Sequence, residues 1–79
     1  MSNKIKIKLF GNLSELVNTH EILIDFKSTF FELKAELFLQ FPMFENKEFV
    51  FAIDQKLIHE NILINPNSEI ALLPPFSGG

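Results

Sequence analysis

The 79-residue sequence contains no cysteine, arginine, tyrosine or tryptophan, and each gap removes a class of function. Without cysteine there is no disulfide framework, no thiolate metal site and no thiol nucleophile. The basic residues are seven lysines against ten acidic residues, a formal charge of −3, which is no footprint for nucleic acid. No apolar run approaches the roughly 20 residues of a membrane span. The opening "MSNKIKIKLF" lacks the apolar stretch and small-residue cleavage site of a signal peptide. A cytoplasmic protein that engages neither membrane nor nucleic acid is therefore expected. Glycine is scarce: Gly11 stands alone and Gly78 and Gly79 are terminal, so no glycine-rich loop cradles a phosphate. His20 and His59 have no partner at a metal-ligand spacing, and no metal site is expected. The carboxylates are scattered without an apolar pocket to tune one as an acid or base. Asp54, just after a strand, is expected to form a turn.

What is present organises one domain spanning residues 1–79. A chain of this size buries only about 60% of the surface its unfolded form exposes, so every element must serve a single core. "KIKIKLF" alternates strictly, with Ile5, Ile7 and Leu9 on one side and Lys4, Lys6 and Lys8 on the other, which predicts a half-buried strand ended by Gly11. The lysine row is read as a solvated face, with a docking patch for an acidic partner as the alternative. Leu13, Leu16 and Val17 predict a short helical turn. "EILIDF" predicts a second strand, with Ile22, Ile24 and Phe26 inward and Leu23 outward.

Thr29 and Glu32 form a capping box that opens a helix, and Pro42 closes it. Phe30, Leu33, Leu37 and Phe41 make its apolar stripe, widened by Phe31, Ala35 and Phe38; Glu32, Lys34 and Glu36 are placed toward solvent. "FVFAI" (residues 49–53) is apolar on both faces, as a central strand would be. Short elements follow, with a turn at Asn65-Pro66-Asn67, and "EIALL" (residues 69–73) is the last strand, which Pro74 cannot continue. Most of the ten phenylalanines fall on core periodicities. A hairpin, one helix and further strands predict an α+β fold: a β-grasp (ubiquitin-like) roll, with a mixed sheet of four to five strands and the helix across one face.

The ending "LLPPFSGG" remains, with residues 74–79 expected to protrude as a tail. Pro74 and Pro75 fix φ near −65° and send the chain off the sheet in a set direction. Gly78 and Gly79 lack a Cβ, so that end can enter a tunnel closed to other residues. A terminal carboxylate on Gly79, ionised at neutral pH, could attack the α-phosphate of ATP to give an acyl-adenylate open to a sulfur or amine nucleophile. With no cysteine to hold a persulfide, the C-terminus is the best place on this chain to carry sulfur.

"EIALLPPFSGG" resembles the ending of the MoaD family, the small subunit of molybdopterin synthase: an acidic residue, a short apolar strand, two prolines, two variable residues and Gly-Gly. "IKIKLFGNLSELVN" is similar to the family's opening strand and helical turn, and "FAIDQKLI" to the strand and turn before its last section. The resemblance implies a sulfur carrier that is not catalytic alone. An E1-like enzyme (MoeB) would use ATP to adenylate Gly79, a sulfur donor system would convert it to a thiocarboxylate, and the loaded tail would enter the large subunit (MoaE). There it would give its sulfur to cyclic pyranopterin monophosphate; no cofactor is bound permanently. Carried over by position, Gly79 bears the acyl group, Ser77 and Gly78 lie in the partner's channel, and Leu73, Pro74, Pro75 and Phe76 contact partner surfaces. Two departures stand out: "NPNSE" replaces an Asp-Gly-Asp-Glu-like turn, and Leu73 stands where an aromatic is common. The rivals are a ThiS-like carrier for thiamine thiazole synthesis, which usually lacks the paired prolines, a ubiquitin-like protein modifier, and a β-grasp interaction module with an inert tail.

Overall fold

The computed structural model describes residues 3–75. Five strands form one mixed sheet: β1 (Lys4–Leu9), β2 (Glu21–Asp25), β3 (Val50–Ile53), β4 (Lys56–Ile58) and β5 (Ile70–Leu73), in the order β2-β1-β5-β3-β4. β1 pairs antiparallel with β2, setting Ile7 opposite Ile22, and parallel with β5, setting Ile7 beside Ile70 and Leu9 beside Leu72. β3 runs antiparallel to both β5 and β4. The expected β-grasp roll is the observed fold. One placement differs in detail: β3 is flanked on both sides, as its double apolar face predicts, but the middle of the sheet belongs to β5.

The alternation in β1 is realised residue by residue, with Ile5, Ile7 and Leu9 buried and the three lysines exposed. Gly11–Leu16 form a 3₁₀ segment anchored by buried Leu13. In β2, Ile22 and Ile24 enter the core and Leu23 faces solvent; Phe26 lies just past the strand and is half-buried against the core. The two-residue turn joining β3 to β4 is Asp54-Gln55, both with positive φ (52° and 70°), the backbone shape that suits a tight hairpin. Asp54 serves that turn as expected: its carboxylate accepts the Glu69 N–H at 3.0 Å, and its own N–H donates to the Glu69 carbonyl at 2.8 Å.

The helix α1 runs Phe30–Gln40 across one sheet face. Thr29 caps it: its hydroxyl accepts the Glu32 N–H at 3.4 Å and donates to the Glu32 carboxylate at 3.0 Å. Phe30, Leu33 and Leu37 are buried, but the stripe is narrower than its periodicity predicts. Phe31 and Ala35 face solvent and Phe38 is half-buried, because a sheet this small does not reach the helix flank. Glu36, expected toward solvent, is instead largely covered, 3.9 Å from the Lys27 ammonium.

Pro42–Asn46 form a second 3₁₀ segment that puts Phe44 wholly in the core, edge-on to Phe41 and Phe49 at ring separations of 6.3 and 5.9 Å. Phe30 meets Phe51 edge-to-face at 4.9 Å. Seven of the nine described phenylalanines are buried or half-buried against the core, so the phenylalanine excess is packing. Among the described residues no polar or charged residue is buried, which explains why a core this aromatic has no use for a tyrosine hydroxyl or an indole N–H.

Two substitutions test this account by denaturant unfolding. Phe44→Ala should cost about 3–5 kcal/mol through the cavity it opens, a large share of a small domain's stability. Thr29→Ala should cost about 1 kcal/mol.

Candidate functional site

The site begins where β5 leaves the sheet. Leu72 is fully buried between Leu9 and Phe51, and its carbonyl accepts the Phe10 N–H at 3.1 Å. Leu73, its side chain on the other face, is half-buried, as is Pro74; Pro75 is exposed. The two prolines rest in a groove whose other walls are Asn12, Leu13, Leu16, Lys47 and Glu48. Three of the residues predicted from sequence, Leu73, Pro74 and Pro75, are thus brought together at one end of the sheet. Phe76, Ser77, Gly78 and Gly79 lie outside the described residues.

Beside that exit the sheet face opposite α1 is bare and apolar. Register sets Ala71 next to Ala52 and Ala52 next to Leu57, and these small side chains floor a depression walled by Phe10, Leu57 and Leu73. Phe10 and Leu57 remain 46% and 56% exposed, well outside the range of core residues. Lys8, Gln55 and Glu69 complete the rim. Sequence reasoning missed Phe10, Ala52, Leu57 and Ala71. The available signal was a single alanine in each of two predicted strands, but only strand register shows that they adjoin.

The lysine row offers no free cationic patch. Lys4 pairs with Asp25 at 2.6 Å, Lys6 with Glu21 at 3.6 Å and Lys8 with Glu69 at 3.3 Å, each across neighbouring elements of the sheet. The lysines are solvent-exposed and charge-paired, in keeping with the solvated-face reading. The hydrogen bond from Lys4 holds the Asp25 carboxyl below the usual carboxylate range. Among the described residues, no three of His, Asp and Glu gather as a metal site would require, and His20 and His59 are both exposed. The described surface therefore combines an apolar depression with charge-paired lysines.

Comparison with known proteins gives this geometry a family. The sequence profile of the ThiS family matches residues 7–79, from the core of β1 through the final glycine. The chain belongs to the ThiS family. Within it, a molybdopterin synthase sulfur carrier subunit of Dictyostelium discoideum is 37% identical over the full length of both chains. One of Arabidopsis thaliana is 29% identical, over 99% of this chain and 85% of that protein. The resemblance to MoaD read from the terminal motif holds. The crystal structure of SAMP1 from Haloferax volcanii matches with a TM-score of 0.78 over 96% of this chain and 99% of that one; at 20% identity it shows the shared fold.

On this ThiS-family sheet the Lys4–Asp25 pair has a defined pH signature. A depressed native pKa stabilises the fold above the unfolded carboxylate value of about 3.9, and that contribution is lost as pH falls through the lower native value. Asp25→Asn should therefore flatten part of the acid limb of an unfolding profile and leave its shape near neutral pH unchanged.

Proposed function

We propose that this chain is the sulfur carrier subunit of a molybdopterin synthase. The observation that carries the reading is the full-length likeness to the Dictyostelium discoideum subunit of that name, with the family match running through Gly79. The tail exit described above is what such a role needs: a rigid domain that ends in a strand, two prolines and a narrow glycine end.

In this reading Gly79 carries the reactive group. Its carboxylate attacks the α-phosphate of ATP in the active site of an E1-like enzyme of the MoeB kind, expelling pyrophosphate and forming an acyl-adenylate. A sulfur donor system then supplies the nucleophile that displaces AMP and leaves a thiocarboxylate. The loaded tail enters a large subunit of the MoaE kind and gives its sulfur to cyclic pyranopterin monophosphate; the dithiolene needs two sulfurs, so the carrier is released and reloaded. Missing Cβ atoms at Gly78 and Gly79 leave the carbonyl open to attack. Pro74 and Pro75 direct the tail, while Phe10, Leu57 and Leu73 give the partner an apolar surface to grip beside it. The catalytic side chains belong to the partners.

The paired prolines favour molybdopterin over thiazole synthesis, and the destination of the sulfur decides between them. Incubated with its E1-like partner, ATP and a sulfur donor, the protein should gain the mass of sulfur replacing oxygen, and a variant lacking Gly79 should not. The sulfur should then pass to the pyranopterin. Transfer to a thiazole precursor, isopeptide-linked adducts, or no mass change with demonstrably active partners would each overturn the proposal. In the same system Leu57→Asp should weaken large-subunit binding at least about tenfold, because a charge placed in an apolar contact loses both packing and solvation.

A further inference from the structure

We infer that Gly11 is a positioning residue for the tail: it is the point on the domain that sets where, and at what angle, the chain beyond Pro74 departs. The inference rests on the carrier reading above and deepens it.

The argument starts from the parallel pairing of β1 and β5. Parallel neighbours leave a sheet at the same end and in the same direction, so the segment after β1 and the tail after β5 compete for one space. The pairing ends at Leu9 and Leu72, and the Phe10 N–H still donates to the Leu72 carbonyl at 3.1 Å. The chain after β1 must therefore turn aside at once, and it does so at Gly11, with a φ of +60°. The first tail proline occupies the space that a side chain would need. A Cβ built on Gly11 would lie 2.7 Å from Pro74 Cγ and 3.5 Å from Pro74 Cδ, the first far inside van der Waals contact.

Which side would yield decides the consequence. On the Gly11 side the corner is fixed at several points: Leu13 is buried in the core, the Leu13 N–H donates to the Phe10 carbonyl at 3.3 Å, and the Ser14 hydroxyl donates to the Gly11 carbonyl at 3.2 Å. On the other side, Pro74 is half-buried in a surface groove, beyond the last paired residue of β5. Its ring cannot rotate out of the way like a flexible side chain, because the ring is closed on the backbone nitrogen. The relief is a displacement of Pro74 itself, at the root of the tail. From Pro74 to Gly79 the chain can reach up to roughly 17 Å, so a tilt of about 10° at the root moves the far end by about 3 Å. An active site that needs its reactants placed to within about 1 Å is sensitive to that change, whereas the floor of the apolar depression, Ala52 and Ala71, lies within paired strands away from the displaced ring.

The test separates positioning from folding. Gly11→Ala should keep the fold and bind the E1-like enzyme within about twofold of the original protein, while its rate of adenylation at saturating concentration falls about tenfold or more. Asn18→Ala is the control: Asn18 has a φ of +59°, so alanine there meets a comparable backbone penalty, and its adenylation rate should stay normal. In a Pro74→Ala background, where the opposing ring is gone, Gly11→Ala should have no further effect. An unchanged rate in folded Gly11→Ala, an equal loss in Asn18→Ala, or full additivity with Pro74→Ala would each overturn the inference. A structural readout keeps this distinct from the carrier reading: whether or not the protein is ever adenylated, Gly11→Ala should shift the backbone amide resonances of Leu73 and Phe76 and leave those of Ile7 and Ile70 in place. Should Gly11→Ala fail to fold, the Gly11→Ala/Pro74→Ala double variant must fold, because removing the ring leaves only the positive-φ backbone penalty that Asn18→Ala also bears; failure of both contradicts the account.

Discussion

The parallel pairing of β1 with β5 is the contact on which the rest of this structure depends. It joins the first strand to the last, so almost the whole chain must be laid down before it can close, and the helix and the remaining strands are arranged around it. It places β5 in the middle of the sheet, where Ile70 and Leu72 are almost completely removed from water. It also carries the functional geometry. Because β5 is held on both sides up to Leu72 and Leu73, the tail departs from a strand that cannot fray without opening the core. Because β1 leaves in the same direction, the corner at Gly11 becomes part of the tail's exit.

The division of labour follows from composition. The core is apolar throughout the described residues, and five of the ten carboxylates, Glu21, Asp25, Glu32, Asp54 and Glu69, serve lysine pairs, a helix cap and the contact between the hairpin turn and the last strand. Among the described residues no polar or charged side chain is buried. Such a body suits the handle proposed above: a rigid sheet with an apolar face beside the point where the last strand ends. The ThiS-family match and the full-length likeness to molybdopterin synthase carrier subunits agree with that physical reading.

Much of this was legible in the sequence because the signals are local. Period-two alternation located β1 and β2, the Thr29–Glu32 pair and Pro42 bounded the helix, and Pro74 ended the last strand. The missed features need tertiary information. A five-residue 3₁₀ segment has no periodicity to reveal that Phe44 is the most central aromatic, and Phe31 looks like core until the width of the sheet is known. The Ala52–Ala71 depression exists only through strand register. Gly11 reads as a strand terminator, and its second role appears only once β1 and β5 are known to be parallel. The lysine row likewise becomes neutral only when Asp25, Glu21 and Glu69 fall beside it.

The proposed carrier role requires that residues 3–75 form a self-sufficient scaffold whose stability owes nothing to the tail. Native-state hydrogen exchange tests it most directly, comparing the full chain with one ended after Pro75. The account predicts the same protection for the amides of Ile7, Leu9, Ile70 and Leu72 in both. A clear loss of protection at β1 and β5 in the shortened chain would contradict it, because the pairing that presents the tail would then depend on the tail.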